Sequence, residues 1–345
     1  MRPASVGARA PLRLGLAGGG SDVDPYCSLY GGQVLSATIN RYAYAFIDTL
    51  PTGQLQFHAA DRGVQWAGSA DSLDDVPSEL LLHKAVYLRV LRDFPRVVEL
   101  SMRLTTIADA PAGSGLGTSS TLVVAMIQAM QEYLHLPLGE YEIAGLAYEI
   151  ERIDCNLSGG KQDHYAAAFG GFNLMEFLTD GRVIVNPLRL HESTICELES
   201  SLILYFTGVS RESAHIIEEQ KRHVERRETS ALEATHAVKA QAATMKEALL
   251  RGSLRDLADS LHASWLAKRQ MATQISNASI DEVYEAARKS GAHAGKISGA
   301  GGGGFMMFMV DPMRRVDVLN TLSGFGGQLY PCSFQQGGAK AWRPQ

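Results

Sequence analysis

A chain of 345 residues is long enough for two packed lobes or one large mixed unit, because single hydrophobic cores rarely grow beyond about 250–300 residues. The composition is that of an ordinary globular protein, with 46% hydrophobic and 20% charged residues. A formal net charge of -5 does not favour a nucleic-acid partner, although one cleft could still concentrate positive charge for a small anionic substrate.

The cysteines and the hydrophobic runs indicate the cellular compartment of the protein. Four cysteines are scattered without a CxxC pair, and we interpret them as reduced thiols. No stretch has the roughly 18–20 uninterrupted apolar residues of a membrane-spanning helix, and residues 1–16 lack the apolar block of a secretory signal. We therefore expect a cytoplasmic protein with no membrane partner. A homodimer is expected only because dimers are the commonest assemblies.

Short β-like runs separated by Gly-, Pro- and Asp-bearing turns dominate the first hundred residues and predict a mixed or antiparallel sheet. The runs cover residues 12–16, 33–39, 42–48, 55–58 and 99–106. Helices are predicted next at 118–134 and 139–153, the second from apolar residues at helical spacing. Further strands are predicted at 172–177, 182–185 and 202–206.

The composition then changes to a charged, Ala/Glu/Lys-rich helical stretch from 211 to about 272. A short helix at 280–290 and a strand, glycine loop and strand over 294–310 follow. We predict an α+β fold of two lobes, with a mixed sheet in residues 1–200 and helices over an antiparallel sheet in residues 201–345. Substrate is expected to bind between the lobes.

A glycine-rich loop separates a β-like run from the helix predicted at 118. Its glycines let the backbone approach a ligand closely, and the helix N-terminus offers free N–H groups to a phosphate. The spacing differs from that of P-loop ATPases and of dinucleotide sites, and a plain capped turn is the alternative. The predicted ATP-binding loop consists of Pro111, Ala112, Gly113, Ser114, Gly115, Leu116, Gly117, Thr118, Ser119 and Ser120.

Together with the runs at 9–22 and 296–305, this loop resembles the three motifs of the GHMP kinases, the superfamily of galactokinase, homoserine kinase and mevalonate kinase. The motifs occur in order and span most of the chain. The resemblance implies a two-lobed GHMP kinase fold, with an N-terminal ATP-binding domain over 1–200 and a C-terminal domain over 201–345. It also implies ATP as the phosphoryl donor and Mg2+ as the metal.

Two segments look most like the branch that phosphorylates D-glycero-D-manno-heptose 7-phosphate: Ala-Gly-Gly-Gly-Ser-Asp at 17–22 and Ser-Gly-Gly-Lys-Gln-Asp-His-Tyr at 158–165. This resemblance implies transfer of the γ-phosphoryl group to the anomeric hydroxyl of that sugar phosphate, on the way to nucleotide-activated heptose for surface polysaccharide. Galactokinases carry Glu-His-Thr-Asp where this chain has Gly-Gly-Ser-Asp, which argues against galactose itself.

The resemblance assigns catalytic roles to Asp163 and Arg13. A carboxylate can accept the hydroxyl proton, and a planar guanidinium suits the charge spread over a phosphoryl group. A helix-capping aspartate and a surface arginine are the alternatives. Ser119 and Glu151 occupy the positions of Mg2+ ligands, and Glu149 is the substitute if the register is shifted.

The sugar site is predicted around the first glycine loop. Asp22 is the expected acceptor of a sugar hydroxyl and Asp24 a weaker candidate, with an Asx turn as the alternative for either. A sugar 7-phosphate would need cations, and Lys161, Lys296 and Arg211 are hypotheses for that role. The third glycine loop, 298–302, is expected to pack on the ATP loop. The predicted substrate-binding set is Gly19, Gly20, Ser21, Asp22, Asp24, Lys161 and Gly301.

Three other functions are compatible with parts of this pattern. The protein could phosphorylate another sugar, such as fucose, galacturonate or an unphosphorylated heptose, or it could be a mevalonate-type kinase. It could be a non-catalytic ligand sensor on the same fold, although the joint presence of Asp163, Arg13, Ser119 and Glu151 argues against that. A dinucleotide-dependent oxidoreductase would bind NAD tightly. The acceptor-site residues do not decide which sugar is used.

Overall fold

The computed structural model describes residues 5–95, 100–209 and 214–343, which form two sheets with helices packed on them. The eight-stranded sheet consists of β1 (Ser5–Ala17), β2 (Gly32–Thr49), β3 (Leu55–Ala59), β4 (Val64–Gly68), β5 (Met102–Ala108), β6 (Phe172–Phe177), β7 (Val183–Pro187) and β12 (Lys340–Trp342). The four-stranded sheet consists of β8 (Leu202–Phe206), β9 (Ala292–Ile297), β10 (Phe305–Val310) and β11 (Gln328–Tyr330).

Helices accompany both sheets. Those of the first half are α1 (Tyr26–Tyr30), α2 (Leu81–Asp93), α3 (Thr118–Leu134), α4 (Glu140–Tyr148) and α5 (Gln162–Phe169). Those of the second half are α6 (Glu192–Ser201), α7 (Ala214–Glu225), α8 (Thr229–Leu250), α9 (Leu254–Lys268), α10 (Ala278–Ser290) and α11 (Arg315–Ser323). None of the helices in the described ranges is both long and apolar enough to cross a membrane.

The first sheet is mixed, as predicted. Its strands run in the order β12-β1-β2-β5-β3-β4, with β6 and β7 branching from β2, and β3 is parallel to β5. The runs predicted at 33–39 and 42–48 are one strand, because the first part of β2 pairs with β6 and the second part with β5. Because β2 has a different partner strand along each part, it continues through residues 40–41, which the sequence pattern separates into two strands.

The second sheet is antiparallel, in the order β11-β8-β10-β9, which was also predicted. The single helical stretch expected over 211–272 is instead three helices. Arg227 and Gly252 have φ of +52° and +68°, which ends a right-handed helix at each point, and Ser253 caps α9 by accepting a hydrogen bond from the Asp256 N–H.

Apolar packing joins the two halves. One buried cluster combines Leu14 of β1 and Leu35 of β2 with Leu204 of β8, Met245 of α8 and Leu261 of α9. In addition, β12 leaves the second half and pairs with β1, so the last described strand belongs to the first sheet. The glycine loop after β1 and the N-termini of α3 and α5 are thereby held near residues of the second half.

Candidate active site

A cleft of about 770 Å³ lies between residues from both halves of the chain. The first half contributes Arg13, Gly20, most of the ATP loop, residues 157–160 and the start of α5. The second half contributes Lys268 at the end of α9, one face of α7, and Gly299 and Ala300 of the third glycine loop. The predicted motifs therefore converge on one space.

The ATP loop has the backbone conformation that its glycines predict. Gly113, Gly115 and Gly117 have φ of +73°, +84° and +78°, the left-handed region that glycine adopts without strain. The loop residues that line the cleft are Ala112, Gly113, Gly115, Gly117, Thr118, Ser119 and Ser120. The other predicted loop residues, Pro111, Ser114 and Leu116, are not among the described residues that line it. The carbonyl of Leu116 instead accepts a hydrogen bond from the Arg13 N–H at 3.1 Å.

The third glycine loop packs directly on the ATP loop, as expected. Ser298 Oγ donates a hydrogen bond to the Gly115 carbonyl at 2.8 Å, and a Cβ on Gly115 would lie 2.3 Å from the Ser298 carbonyl oxygen. Gly301 has a different contact, since a Cβ there would lie 2.8 Å from Ile275 Cα. Gly301 is absent from the described part of the cleft wall.

Buried Arg13 and partly exposed Asp163 form an ion pair at the floor of the cleft. Arg13 Nε donates to Asp163 Oδ1 at 2.6 Å, and Arg13 Nη2 contacts the same oxygen. Arg13 Nη1 donates to the Gly115 carbonyl at 2.6 Å. A Cβ on Gly117 would lie 3.0 Å from Asp163 Cγ, so the carboxylate lies against the loop. The pair is therefore fixed against the glycine-rich loop on one wall of the cleft.

Glu151 lies at the other side of the loop and contacts the start of α3. Its oxygens accept hydrogen bonds from Ser119 Oγ and Ser120 Oγ, both at 2.6 Å, and His164 Nε2 lies 2.7 Å away. Burial raises the pKa of Glu151, but the charge of Arg152 and the contacts with His164 and Ser119 outweigh it and hold the pKa at about 2. The carboxylate is therefore ionised at neutral pH.

Ser119 and Glu151 fit the requirements of a magnesium ion. Both line the cleft and present a hydroxyl oxygen and an ionised carboxylate, the oxygen ligands that Mg2+ takes together with water and phosphate. Glu149 has another partner: its carboxylate pairs with Arg89 on α2 and is 52% exposed. Residues 149–154 form a π-helical turn after α4, so Glu149 and Glu151 point in different directions.

Asp22 is fully buried and connects the first glycine loop to α5. It accepts hydrogen bonds from the Gly20 N–H at 3.1 Å, the Gln162 N–H at 3.0 Å and Gln162 Nε2 at 3.1 Å. Burial, with a contribution from the charge of Asp163, raises the pKa of Asp22 despite these bonds. Gly20 and Gln162 line the cleft, whereas Asp22 lies behind them and is not among its described wall residues.

The rest of the predicted sugar set lies around Asp22. Gly19 is buried, and Ser21 Oγ donates to the Gly18 carbonyl at 2.7 Å and accepts from the Gln33 N–H at 3.0 Å, which fixes the turn. Lys161 Nζ lies 3.6 Å from Asp24 Oδ2 and 5.4 Å from the centre of the Tyr148 ring.

Asp24 carries a negative charge that its neighbours stabilise. Burial raises the pKa of Asp24, but hydrogen bonds from Cys27 and Ser28 and the charge of Lys161 outweigh it and leave the pKa below its usual value. Asp24 and Lys161 therefore neutralise each other where the structure places them.

Of the other two cations predicted to bind the sugar phosphate, one has other partners and one lies outside the described residues. Lys296 is buried and donates to the carbonyls of Gly15 and Leu16 at 2.9 and 3.1 Å, so its ammonium is committed to β1. Burial lowers the pKa of Lys296 well below its usual value. Arg211 lies outside the described residues.

Lys268 was missed by the sequence analysis. Its side chain is buried, lines the cleft and donates to the Gly299 carbonyl. Burial and the charge of Arg13 lower the pKa of Lys268 to about 8, although Asp22 and Asp163 act in the opposite direction. A lysine in a charged helical segment is typical of a solvated face, so the sequence contains no sign of its burial.

Comparison with known protein families identifies the class of protein to which this fold and this cleft belong. Residues 81–171 match the GHMP kinases N terminal domain and residues 245–328 match the GHMP kinases C terminal domain. The chain belongs to the GHMP kinases, and the resemblance and fold class predicted from the sequence are confirmed.

Individual relatives cover nearly the whole chain. It is 44% identical to a D-glycero-alpha-D-manno-heptose 7-phosphate kinase from Campylobacter jejuni, over 98% of this chain and 99% of the relative. A crystal structure of a D-glycero-D-manno-heptose 1-phosphate kinase from Bacteroides thetaiotaomicron has 44% identity and a TM-score of 0.84, covering 99% of each chain. Lactococcus lactis galactokinase complexed with galactose, at 16% identity, has a TM-score of 0.77 over 97% of this chain and 95% of that one, which shows the fold alone.

Proposed function

We propose that this protein is an ATP-dependent kinase that phosphorylates the anomeric hydroxyl of D-glycero-D-manno-heptose 7-phosphate. The observation that carries the proposal is the Arg13–Asp163 ion pair against the ATP loop, in a chain 44% identical along its length to a heptose 7-phosphate kinase. The product, a heptose 1,7-bisphosphate, would supply nucleotide-activated heptose for surface polysaccharide such as capsule or lipopolysaccharide.

Catalysis by this cleft depends on positioning and charge. The acceptor oxygen attacks the γ-phosphorus, the bond to the β-phosphate oxygen breaks, and Asp163 accepts the hydroxyl proton. Arg13 orients the Asp163 carboxylate through Nε and presents guanidinium charge to the phosphoryl group. Its second bond, to the Gly115 carbonyl, fixes the guanidinium relative to the ATP loop.

The donor site is assigned from the same cleft. The glycine N–H groups and the N-terminus of α3 suit the phosphates of ATP. Ser119 and Glu151 would hold Mg2+, which supplies positive charge to the phosphates when it is bound. The cleft also extends to Arg62, Ser78, Leu81 and Leu82, which offer an apolar surface with polar edges for the adenine.

The acceptor site is assigned to Gly20, Gln162 and the residues behind them. Asp22 fixes both groups by three hydrogen bonds, and a direct bond from Asp22 to a sugar hydroxyl stays a prediction. Lys161 also stays a prediction for the 7-phosphate. Its ammonium is 3.6 Å from Asp24, so phosphate binding would have to compete with that pair.

The division into domains at residues 200 and 201, the homodimer and the cytoplasmic location also stay predictions. The pairing of β12 with β1 means that any such boundary is crossed again near residue 340. All four cysteines are free, which suits a reducing compartment where ATP is available.

The testing experiment is a coupled ADP-release assay with Mg-ATP and a panel of acceptors. The panel contains the heptose 7-phosphate, heptose 1-phosphate, unphosphorylated heptose, fucose, galactose and mevalonate. We expect the heptose 7-phosphate to have the highest kcat/KM, with a loss of about 10²–10⁴-fold in kcat for Asp163→Ala. Asp180→Ala, in an exposed turn, is the matched control and should be unchanged.

Faster turnover of another acceptor would reject the substrate and keep the kinase chemistry. If ATP bound but no acceptor were phosphorylated, the protein would be a ligand sensor instead. Tighter binding of NAD than of ATP would reject both the kinase and the ligand-sensor functions.

A further inference from the structure

Lys268 is a buried cation inside the cleft whose position needs an explanation. The residue is 3% exposed, and its Nζ lies between the first and third glycine loops. It donates to the Gly299 carbonyl, and a Cβ on Gly19 would lie 3.9 Å from Nζ. Burying an ammonium group costs free energy unless partners compensate, so the site should contain a compensating anion when it functions.

The charges around Lys268 do not supply that compensation fully. Arg13 on β1 and Lys296 on β9 repel it, while Asp22 and Asp163 attract it. Both carboxylates already have partners, Asp163 with Arg13 and Asp22 with Gly20 and Gln162. Among the residues that the structure describes, the Gly299 carbonyl is the one hydrogen-bond partner of an ammonium that has three donors.

Lys268 lines the same cleft as the reacting groups. Arg13, Asp163 and Gly117 of the ATP loop line that space with it, and Lys268 interacts electrostatically with both members of the Arg13–Asp163 pair. An anion bound between the ATP loop and Asp163 would therefore be within the field of two cations from different halves of the chain.

We propose that Lys268 is a further catalytic residue, whose ammonium group contacts the transferred phosphoryl group and shares its negative charge with Arg13. The inference rests on the proposed function. As the bond from the γ-phosphorus to the β-phosphate oxygen breaks, ADP leaves with the electron pair. The bond to the acceptor oxygen forms and the proton goes to Asp163, while Lys268 stays protonated throughout.

Lys268→Met tests the role of the charge, since methionine keeps an unbranched chain without an ammonium. We expect kcat to fall about 10²–10³-fold, as for loss of a group that stabilises transition-state charge, with the KM for ATP and for sugar within about threefold. Lys268→Arg should recover at least about tenfold of that loss, because it restores the charge. Lys289→Met, on the exposed side of α10, is the matched control.

The pH profile separates a chemical role from a structural one. The pKa of Lys268 is lowered to about 8, so wild-type kcat should decline as the pH rises through that value and the ammonium loses its proton. Arginine stays protonated, so the decline should move to higher pH in Lys268→Arg. The neighbouring groups Arg13, Asp22, Asp163 and Lys296 are common to both enzymes, and an identical decline in both would overturn the proposal.

Each kinetic outcome is decisive once circular dichroism shows that the variants are folded. A wild-type enzyme that phosphorylates no acceptor would remove the proposed function and the role of Lys268 with it. An active wild type with Lys268→Met within twofold in kcat would overturn the role of Lys268 alone. An increase only in the KM for the sugar phosphate would also overturn it, by assigning Lys268 to the phosphate already on the substrate.

Discussion

Glu151 shows at the scale of one residue how this protein keeps a buried carboxylate charged. Its pKa is lowered from 4.5 to about 2, which corresponds to roughly 3 kcal/mol of stability. Because the folded-state pKa is below the unfolded value, this stability is present above pH 4.5 and is lost as the pH falls toward 2.

We expect wild type to lose more stability than Glu151→Gln on acidification, because the amide cannot take up the proton. Urea denaturation between pH 5.5 and 3 measures this difference. The exposed Glu192→Gln, at the start of α6, should follow wild type. Parallel pH profiles for wild type and Glu151→Gln would contradict the prediction.

Glu151 and Glu149 also test the metal site against each other. Glu151→Gln should raise the Mg2+ concentration for half-maximal activity by about 10–100-fold, since a carboxylate ligand is lost. Glu149→Gln changes a carboxylate that pairs with Arg89 and should stay within about twofold. Titration of activity with Mg2+ at saturating ATP measures this concentration for both variants. A larger increase for Glu149→Gln than for Glu151→Gln would assign the metal site to Glu149.

The resemblance assigned Glu151 to the site, and this residue lines the cleft although it lies outside the quoted motif segments. Motif resemblance was sufficient to predict that Arg13, Asp163 and Ser119 line the same cleft, because each stands at a fixed place in a motif. It could not predict that Lys268 enters the cleft. Lys268 is buried because the third glycine loop packs on it, with the Gly299 carbonyl accepting a hydrogen bond from its ammonium. This contact joins segments that are far apart in the sequence.

At the scale of elements, the third glycine loop and the ATP loop support each other. Gly115→Ala should destabilise the protein strongly, because the new Cβ would lie 2.3 Å from the Ser298 carbonyl at a φ of +84°. Gly53→Ala is the control for backbone strain alone, with a φ of +81° and nothing within 4 Å of the Cβ.

For Gly53→Ala we expect a loss of about 1–2 kcal/mol, the cost of a left-handed alanine. The loss for Gly115→Ala should be clearly larger, because a backbone clash is added to the strain. Denaturant titration measures both values, and a thermal-shift assay should show weakened ATP binding only for Gly115→Ala. Equal losses in the free energy of unfolding would mean that the two loops move apart to accept the new Cβ without further loss of stability.

Elements with strong local patterns were predicted well. The segments predicted at 118–134, 172–177, 202–206 and 305–310 coincide with α3, β6, β8 and β10. Strand β2 and the helices after 211 were delimited poorly, because partner strands and residues with positive φ decide where they end. Helices α1, α2, α6 and α11 are absent from the sequence prediction, and α2 carries several polar residues within its apolar pattern.

At the scale of the whole molecule, β12 closes the outer edge of the first sheet. Trp342 lies against Gly7, where a Cβ would be 2.5 Å from the indole ring, and Lys340 pairs with Arg9. A variant that ends at Ala339 should unfold at a lower temperature, because it exposes the backbone of β1 and removes this packing.

Thermal unfolding followed by circular dichroism measures the effect of the truncation. Lys340→Ala keeps the strand and changes only an exposed side chain, so its midpoint should match wild type. An unchanged midpoint for the truncated chain would mean that β12 contributes nothing to the sheet.

The pairing of β12 with β1 also has a consequence for synthesis on the ribosome. Strand β1 is synthesised long before β12, so its outer edge stays uncovered until β12 follows, and open strand edges attract other chains. Polypeptides released early by stalled ribosomes would carry this uncovered edge. We therefore expect incomplete chains to aggregate, and chaperones that bind nascent chains to raise the yield of the full-length protein.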